Sequence, residues 1–377
     1  RRRWWAWLGQ GEMCLEGRGT MDDSELEDIK AAIMDQWGSM AGMAGMFCAS
    51  ILIGVFIQPL YNFSEARAFG EEGASEAGNV IFELVMIFIF TIAVIYLARK
   101  GLEKIIKWFV FLALGYSLMI SLFGVLAIPW MLVNPSGDWG NIHFAFTFLL
   151  TIGMMYTLHK FPEWYIVNTV GVLVGSGVIV MLGITFVPVL IILFMVLAAI
   201  YDHWAVNGSK HMLELADTMI DLKLPVLLVA PKDTNYTFLE QEGDVMDSAK
   251  PRLEASPEGV EARKVKAKGR DALFMGLGDV IFPGMLVISS ITFLPDYGPV
   301  VFDFWGEPHE QVHLGAMMVG MGTLLGGLVG YAALMTQVAR GKPQAGLPLL
   351  NGGSILGYLL SGALAIGLEN LWQDITF

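Results

Sequence analysis

The 377 residues are 55% hydrophobic and only 16% charged, with a mean hydropathy of +0.59, whereas soluble domains carry about 25% charged residues. Apolar residues arrive in runs of about 20, the length at which a helix crosses a hydrocarbon core of about 30 Å, so an ordinary soluble enzyme is excluded. The net charge of -13 leaves no concentrated basic surface to neutralise phosphates, which excludes nucleic acid as a partner.

The N-terminal segment, residues 1–37, opens with Arg1, Arg2 and Arg3 and two tryptophans before Met21. Met21 is a candidate start, which would make residues 1–20 foreign to the protein. The competing signal peptide is disfavoured because its apolar core, Trp4 to Leu8, is too short. An acidic amphipathic stretch follows over 22–35. Apolar runs and turn signals then predict an all-α polytopic protein with nine transmembrane helices, at 38–61, 79–98, 108–133, 141–158, 164–183, 188–206, 272–294, 311–338 and 347–368. The fifth and sixth are divided only by the short stretch before Pro188. Cys14 and Cys48 form no disulfide framework or metal-ligand spacing and are expected to be functionally silent.

Basic residues test the count, because cytoplasmic loops concentrate them. The second, fourth, sixth and eighth loops hold 4, 1, 10 and 2, which is 17 of the 23; the opposite loops and the C-terminal tail hold only Arg67. The N-terminus is therefore expected in the cytoplasm and the C-terminus outside. Helices 1–6 occupy 38–206, a cytoplasmic loop 207–271 and helices 7–9 the region 272–377. Within the loop, Met212, Leu215, Met219 and Leu222 recur at helical spacing, a β-like run covers 224–230, and 233–269 reads as a flexible linker of mixed charge.

An ionisable group inside a transmembrane helix costs about 2.5–3.5 kcal/mol on insertion scales, which singles out Glu83, Asp202 and Asp279. Glu83 lies toward the outer end of its helix and is expected to reach the outer surface. His143 and His313, also near outer ends, are expected to cap or to sit at the interface. Asp202 lies near the cytoplasmic end of the sixth helix and Asp279 seven residues into the seventh, so helix rise gives both roughly 8–10 Å of depth. Consecutive helices pack together, and no lysine or arginine in the seventh to ninth helices can pair with these acids. Gly276 and Gly278 leave room beside Asp279 for a backbone to approach. The glycines of the eighth helix are assigned to packing. At the start of the ninth helix, Pro348 among glycines leaves irregular backbone at membrane depth, tolerated where the chain lines a cavity or is covered by protein.

Together these motifs resemble the presenilin and signal peptide peptidase family of intramembrane aspartyl proteases, most closely its compact archaeal members. Tyr201-Asp202 is similar to the family's YD motif and Gly276-Leu277-Gly278-Asp279 to its GxGD motif. Ala345-Gly346-Leu347-Pro348 stands for the PAL motif, with Ala345 in place of the first proline and Gly346 in place of the alanine. The resemblance implies Asp202 and Asp279 as the catalytic pair, with Tyr201, Gly276, Leu277, Gly278, Ala345, Gly346, Leu347 and Pro348 shaping the site. It implies no metal and no cofactor, transmembrane helices as substrates, and activity without accessory subunits, as in archaeal relatives.

Two neighbouring carboxylates hold one proton between them, so one can activate a water while the other protonates the scissile carbonyl. No serine, cysteine and histidine set competes. A substrate helix must unwind first, and the 224–230 run, with Leu227 and Val229, offers an edge for strand addition. The rival reading is a proton-coupled transporter, against which stand the lack of inverted repeats and the off-centre aspartates. The expected location is a multi-pass position in the lipid bilayer, the cell membrane in a prokaryote.

Overall fold

The computed structural model describes residues 23–133, 141–204, 227–232, 272–303, 311–339 and 345–376. The amphipathic stretch at 210–222, the 233–269 linker and residues 1–20 lie outside the described residues. Nine α-helices are present among those described: α1 (Asp23–Ile57), α2 (Ala77–Arg99), α3 (Glu103–Val133), α4 (Asn141–Lys160), α5 (Trp164–Gly183), α6 (Pro188–Trp204), α7 (Leu277–Phe293), α8 (Leu314–Ala339) and α9 (Leu347–Ala365). Seven are long and apolar enough to cross a membrane, while α6 and α7, with 17 residues each, fall just short of that length. α1 starts well before residue 38 and absorbs the acidic stretch. α5 and α6 stay separate, with Pro188 as the first residue of α6, where its missing N–H costs no intrahelical bond.

Two antiparallel strand pairs are present among the described residues, and the second strand of each replaces helix that the sequence predicts. β1 (Leu227–Pro231) pairs antiparallel with β2 (Ala272–Gly276), with Leu227 opposite Gly276 and Val229 opposite Phe274. β3 (Val300–Phe302) pairs with β4 (Val312–His313), so α8 begins at 314, not 311. The seventh helix likewise begins at 277, not 272. A short apolar run such as Ala272-Leu273-Phe274-Met275 has no period that separates strand from helix, and the pairing with β1 decides it.

α5 stands at the centre of one core, packed on α1, α3, α4, α7 and β1. Its small residues let backbones approach. Ser50 donates to the Val172 carbonyl at 3.0 Å, Ser117 to the Val174 carbonyl at 2.8 Å, and the Ser121 and Ser176 hydroxyls lie 2.7 Å apart. Such contacts associate helices where no hydrophobic driving force acts between them. A second core gathers α6, α7, α8 and α9, and α7 serves both: Val280, Val287 and Ile288 face the first, Met285 and Leu286 the second. α8 and α9 form the most extensive helix pair. A methyl at Gly326 would overlap the Gly353 carbonyl, and one at Gly353 would overlap that of Gly326, so the eighth-helix glycines do serve packing.

α2 is the outlier. Ile81, Phe82 and the run from Val85 to Phe90 are exposed, an apolar surface suited to lipid. Its first residue is nevertheless tied down, since Ala77 N–H donates to the Thr376 carbonyl at 2.9 Å and Thr376 N–H to the Ser75 carbonyl at 3.0 Å. Glu83 is half-buried on this helix. His143 differs from expectation: it is fully buried between Phe123, with ring centres 4.5 Å apart, and Trp130, at 5.2 Å. The α3–α4 contact closes over it. His313 sits in β4, its Nδ1 3.1 Å from the Gly298 carbonyl.

Candidate active site

Three helix ends converge where the β1–β2 hairpin meets the bundle: the C-terminal turn of α6, the N-terminus of α7 and the N-terminus of α9. Asp202 is the third residue from the end of α6 and is 5% exposed. A carboxylate at a helix C-terminus opposes the macrodipole. Here the conflict is relieved by α9, whose first residue, Leu347, donates its backbone N–H to Asp202 Oδ2 at 3.2 Å. That amide is one of the four a helix start leaves unpaired.

Asp279 is the third residue of α7, half-buried, and the Gly276 N–H at the helix cap bonds back to its carboxylate. A third-position acid bonding the cap amide is one half of a capping box. The strand before it changes the depth argument: five residues thought to add a helical rise are extended instead. The two aspartates meet all the same, lying within electrostatic reach of one another, because α9 bridges them. A methyl placed on Gly346 would stand 3.2 and 3.3 Å from the two Asp279 oxygens. The next residue along holds Asp202.

The remaining predicted residues divide. Ala345 is buried and Leu350 N–H bonds the Gly346 carbonyl at 3.2 Å, so the first turn of α9 closes despite Pro348, which sits among its first two residues. Leu277 is buried against α5, where a methyl on Gly175 would meet it at 3.2 Å. Gly278 is exposed with open space beside it, which leaves Asp279 approachable. Tyr201 is 51% exposed, and its ring lies by Trp204, centres 6.2 Å apart.

Two asparagines that sequence reasoning passed over hold this arrangement. Asn351, one turn into α9 and 1% exposed, donates to the Met195 carbonyl of α6 at 3.0 Å, fastening the helix that bonds Asp202 to the helix that carries it. Asn168 of α5, also buried, grips Val229 at both ends: its Nδ2 donates to the Val229 carbonyl at 2.6 Å and its Oδ1 accepts the Val229 N–H at 2.8 Å. Val229 therefore turns its peptide groups away from β2, and Val229–Phe274 is a non-hydrogen-bonded pair of the ladder. Their signal was present in the sequence, since an amide side chain within an apolar span is costly unless it bonds across helices.

A multi-helix membrane protein with two carboxylates joined by the start of a third helix defines a class, the intramembrane proteins with a paired-aspartate site. The comparisons narrow it. Residues 44–368 match the family model described as signal-peptide peptidase, presenilin aspartyl protease, and the chain belongs to that family. Two solved structures of a presenilin family intramembrane aspartate protease are similar to it. One, in a C222 crystal form, is 25% identical with a TM-score of 0.53, covering 88% of this chain and 100% of that one. The other, in P2, is 27% identical with a TM-score of 0.54, covering 86% and 97%. Among curated protein sequences none matches.

Proposed function

We propose that the protein hydrolyses peptide bonds within transmembrane segments of other membrane proteins, with Asp202 and Asp279 acting on a single water. The observation that carries this reading is the convergence of both carboxylates on Gly346 and Leu347 at the start of α9. One carboxylate, ionised, takes a proton from water as the new C–O bond forms; the other, protonated, gives its proton to the carbonyl oxygen. The gem-diol collapses with cleavage of the C–N bond, and the amine leaves with a proton from the pair. Exposed Gly278 and the absence of a side chain at Gly346 support the approach of an extended peptide to both acids.

The hairpin gives that peptide a partner. A helix being cut must first surrender its own hydrogen bonds, and strand addition replaces them. β2 runs directly into α7 and Asp279, so a strand added along its outer side lies in register with the carboxylates. The protein acts without accessory subunits in this reading, and the transporter alternative finds no support in the family match.

The test is cleavage of a single-span substrate by the purified full chain in lipid vesicles. Asp202→Asn and Asp279→Asn should each lower turnover at least about 100-fold, the usual scale for losing a positioned acid or base, with helical content unchanged. Substantial turnover by either variant removes that residue from the mechanism.

A further inference from the structure

Acids outnumber bases 36 to 23 in this chain, yet three lysines at the hairpin end of the bundle stand without a carboxylate. Lys104 and Lys107 are the second and fifth residues of α3, and Lys160 is the last of α4. None makes an ion pair among the described residues, whereas Lys232, at the same end, is held by Asp35 at 2.6 Å. From Arg99 to Lys107 the chain has four bases and one acid, Glu103. A single ring joins the two helices: the Lys107 ammonium lies 6.0 Å from the centre of Phe111, and the His159 ring meets Phe111 edge-on at 5.7 Å. The start of α3 and the end of α4 thus form one cationic notch.

A helix C-terminus favours positive charge, which accounts for His159 and Lys160. A helix N-terminus disfavours it, so Lys104 and Lys107 work against the macrodipole of α3. Membrane orientation needs basic residues in a loop by number, not gathered at one point. An anion in the notch reconciles both. Its surroundings indicate the kind of anion: deeper along the same helices Leu112 on α3 and Ile152 and Tyr156 on α4 are half exposed or more, so the notch opens sideways onto hydrocarbon. A soluble phosphate leaves that apolar wall unused, whereas a phospholipid places its phosphate among the ammonium groups and its chains along the two helices. We propose that the α3–α4 notch binds the headgroup of an anionic phospholipid through Lys104, Lys107 and Lys160. The site is separate from the carboxylates and does not depend on the proteolytic reading.

Native mass spectrometry of the purified full chain in detergent, titrated with phosphatidylglycerol or with phosphatidylcholine of equal chain length, reads the first lipid bound. A basic residue at the membrane surface contributes about fivefold to the binding of an anionic lipid, so the parent should prefer phosphatidylglycerol by at least about tenfold. Lys104→Gln, Lys107→Gln and Lys160→Gln combined should bring the preference below about twofold, and Lys104→Arg, Lys107→Arg and Lys160→Arg combined should keep it. A charge-matched control in the long loop, Lys250→Gln, Lys264→Gln and Lys266→Gln, should also keep it. Equal affinity of the parent for both lipids, an unaltered preference in the first triple variant, or an equal loss in the control overturns the proposal, the last because net charge alone would then set the preference.

A second measurement needs no variant. Phosphatidylglycerol with a photoreactive diazirine in one chain, irradiated with the parent protein in phosphatidylcholine vesicles, should label the first half of α3 and the second half of α4 more than the matching phosphatidylcholine probe does. An excess found only on other helices overturns the proposal. Glycerol phosphate added in large excess should leave the labelling intact, and displacement by it would assign the notch to a soluble phosphate in place of a lipid.

Discussion

Gly346 stands between the two carboxylates, since a side chain on it would meet Asp279 while the following amide holds Asp202. A methyl there would stand 3.2 Å from the nearer Asp279 oxygen, a tight contact that a shift of a few tenths of an ångström relieves. Gly346→Ala, which restores the alanine of the motif it resembles, should keep turnover within about threefold, a change well below the cost of overpacking. Gly346→Val adds bulk that no small shift absorbs. At the usual overpacking cost of about 1–3 kcal/mol it should lower turnover about tenfold or more, and parent-like turnover by the valine variant would show that the contact is loose. Asp202 and Asp279 were legible because an unpaired carboxylate in an apolar run has few explanations. Asn351 and Asn168 carry a signal as amides within apolar spans, but an amide names no partner: their carbonyl and amide partners, Met195 and Val229, lie 156 and 61 residues away.

At the scale of elements, the hairpin is where sequence and structure part. The β1 run was readable from its prolines and branched residues, but its mate was hidden in what scans as the first turn and a half of α7. Strand addition at Leu227 and Val229 was the expectation. Val229 spends its peptide groups on Asn168, and the outward amide of the β2 edge at its middle belongs to Phe274, which faces Val229 in the ladder. Phe274→Pro should therefore cut turnover at least about tenfold by removing a strand-adding amide, and Val229→Pro should cost less. The opposite ranking would move the substrate to β1. Shortening the loop within residues 244–269 should leave turnover nearly unchanged, as measured on the same substrate, because a linker has only to span its ends.

Over the whole molecule, Thr376 lies beside Ser75 and Ala77 in the first loop region, at the end of the bundle away from the hairpin. The basic loops carry the expectation that the hairpin end is cytoplasmic. Ser248→Cys should then resist an impermeant thiol reagent on intact cells and Thr376→Cys should react, and substrates with their N-terminus outside should be cut in preference to inverted ones. Reversed labelling or reversed preference would defeat the assignment. What no loop count foretold is that α7 belongs to both cores, although its 17 residues reach only about 26 Å against a hydrocarbon thickness of about 30 Å. The protein is thus mismatched to its bilayer along α7, the helix that bears Asp279, and lipid must thin beside it or water must enter. Bilayer thickness becomes a control on the enzyme: turnover in vesicles of shorter acyl chains should exceed that in longer ones at equal substrate density, the thinner membrane bringing its own surface down to the acids.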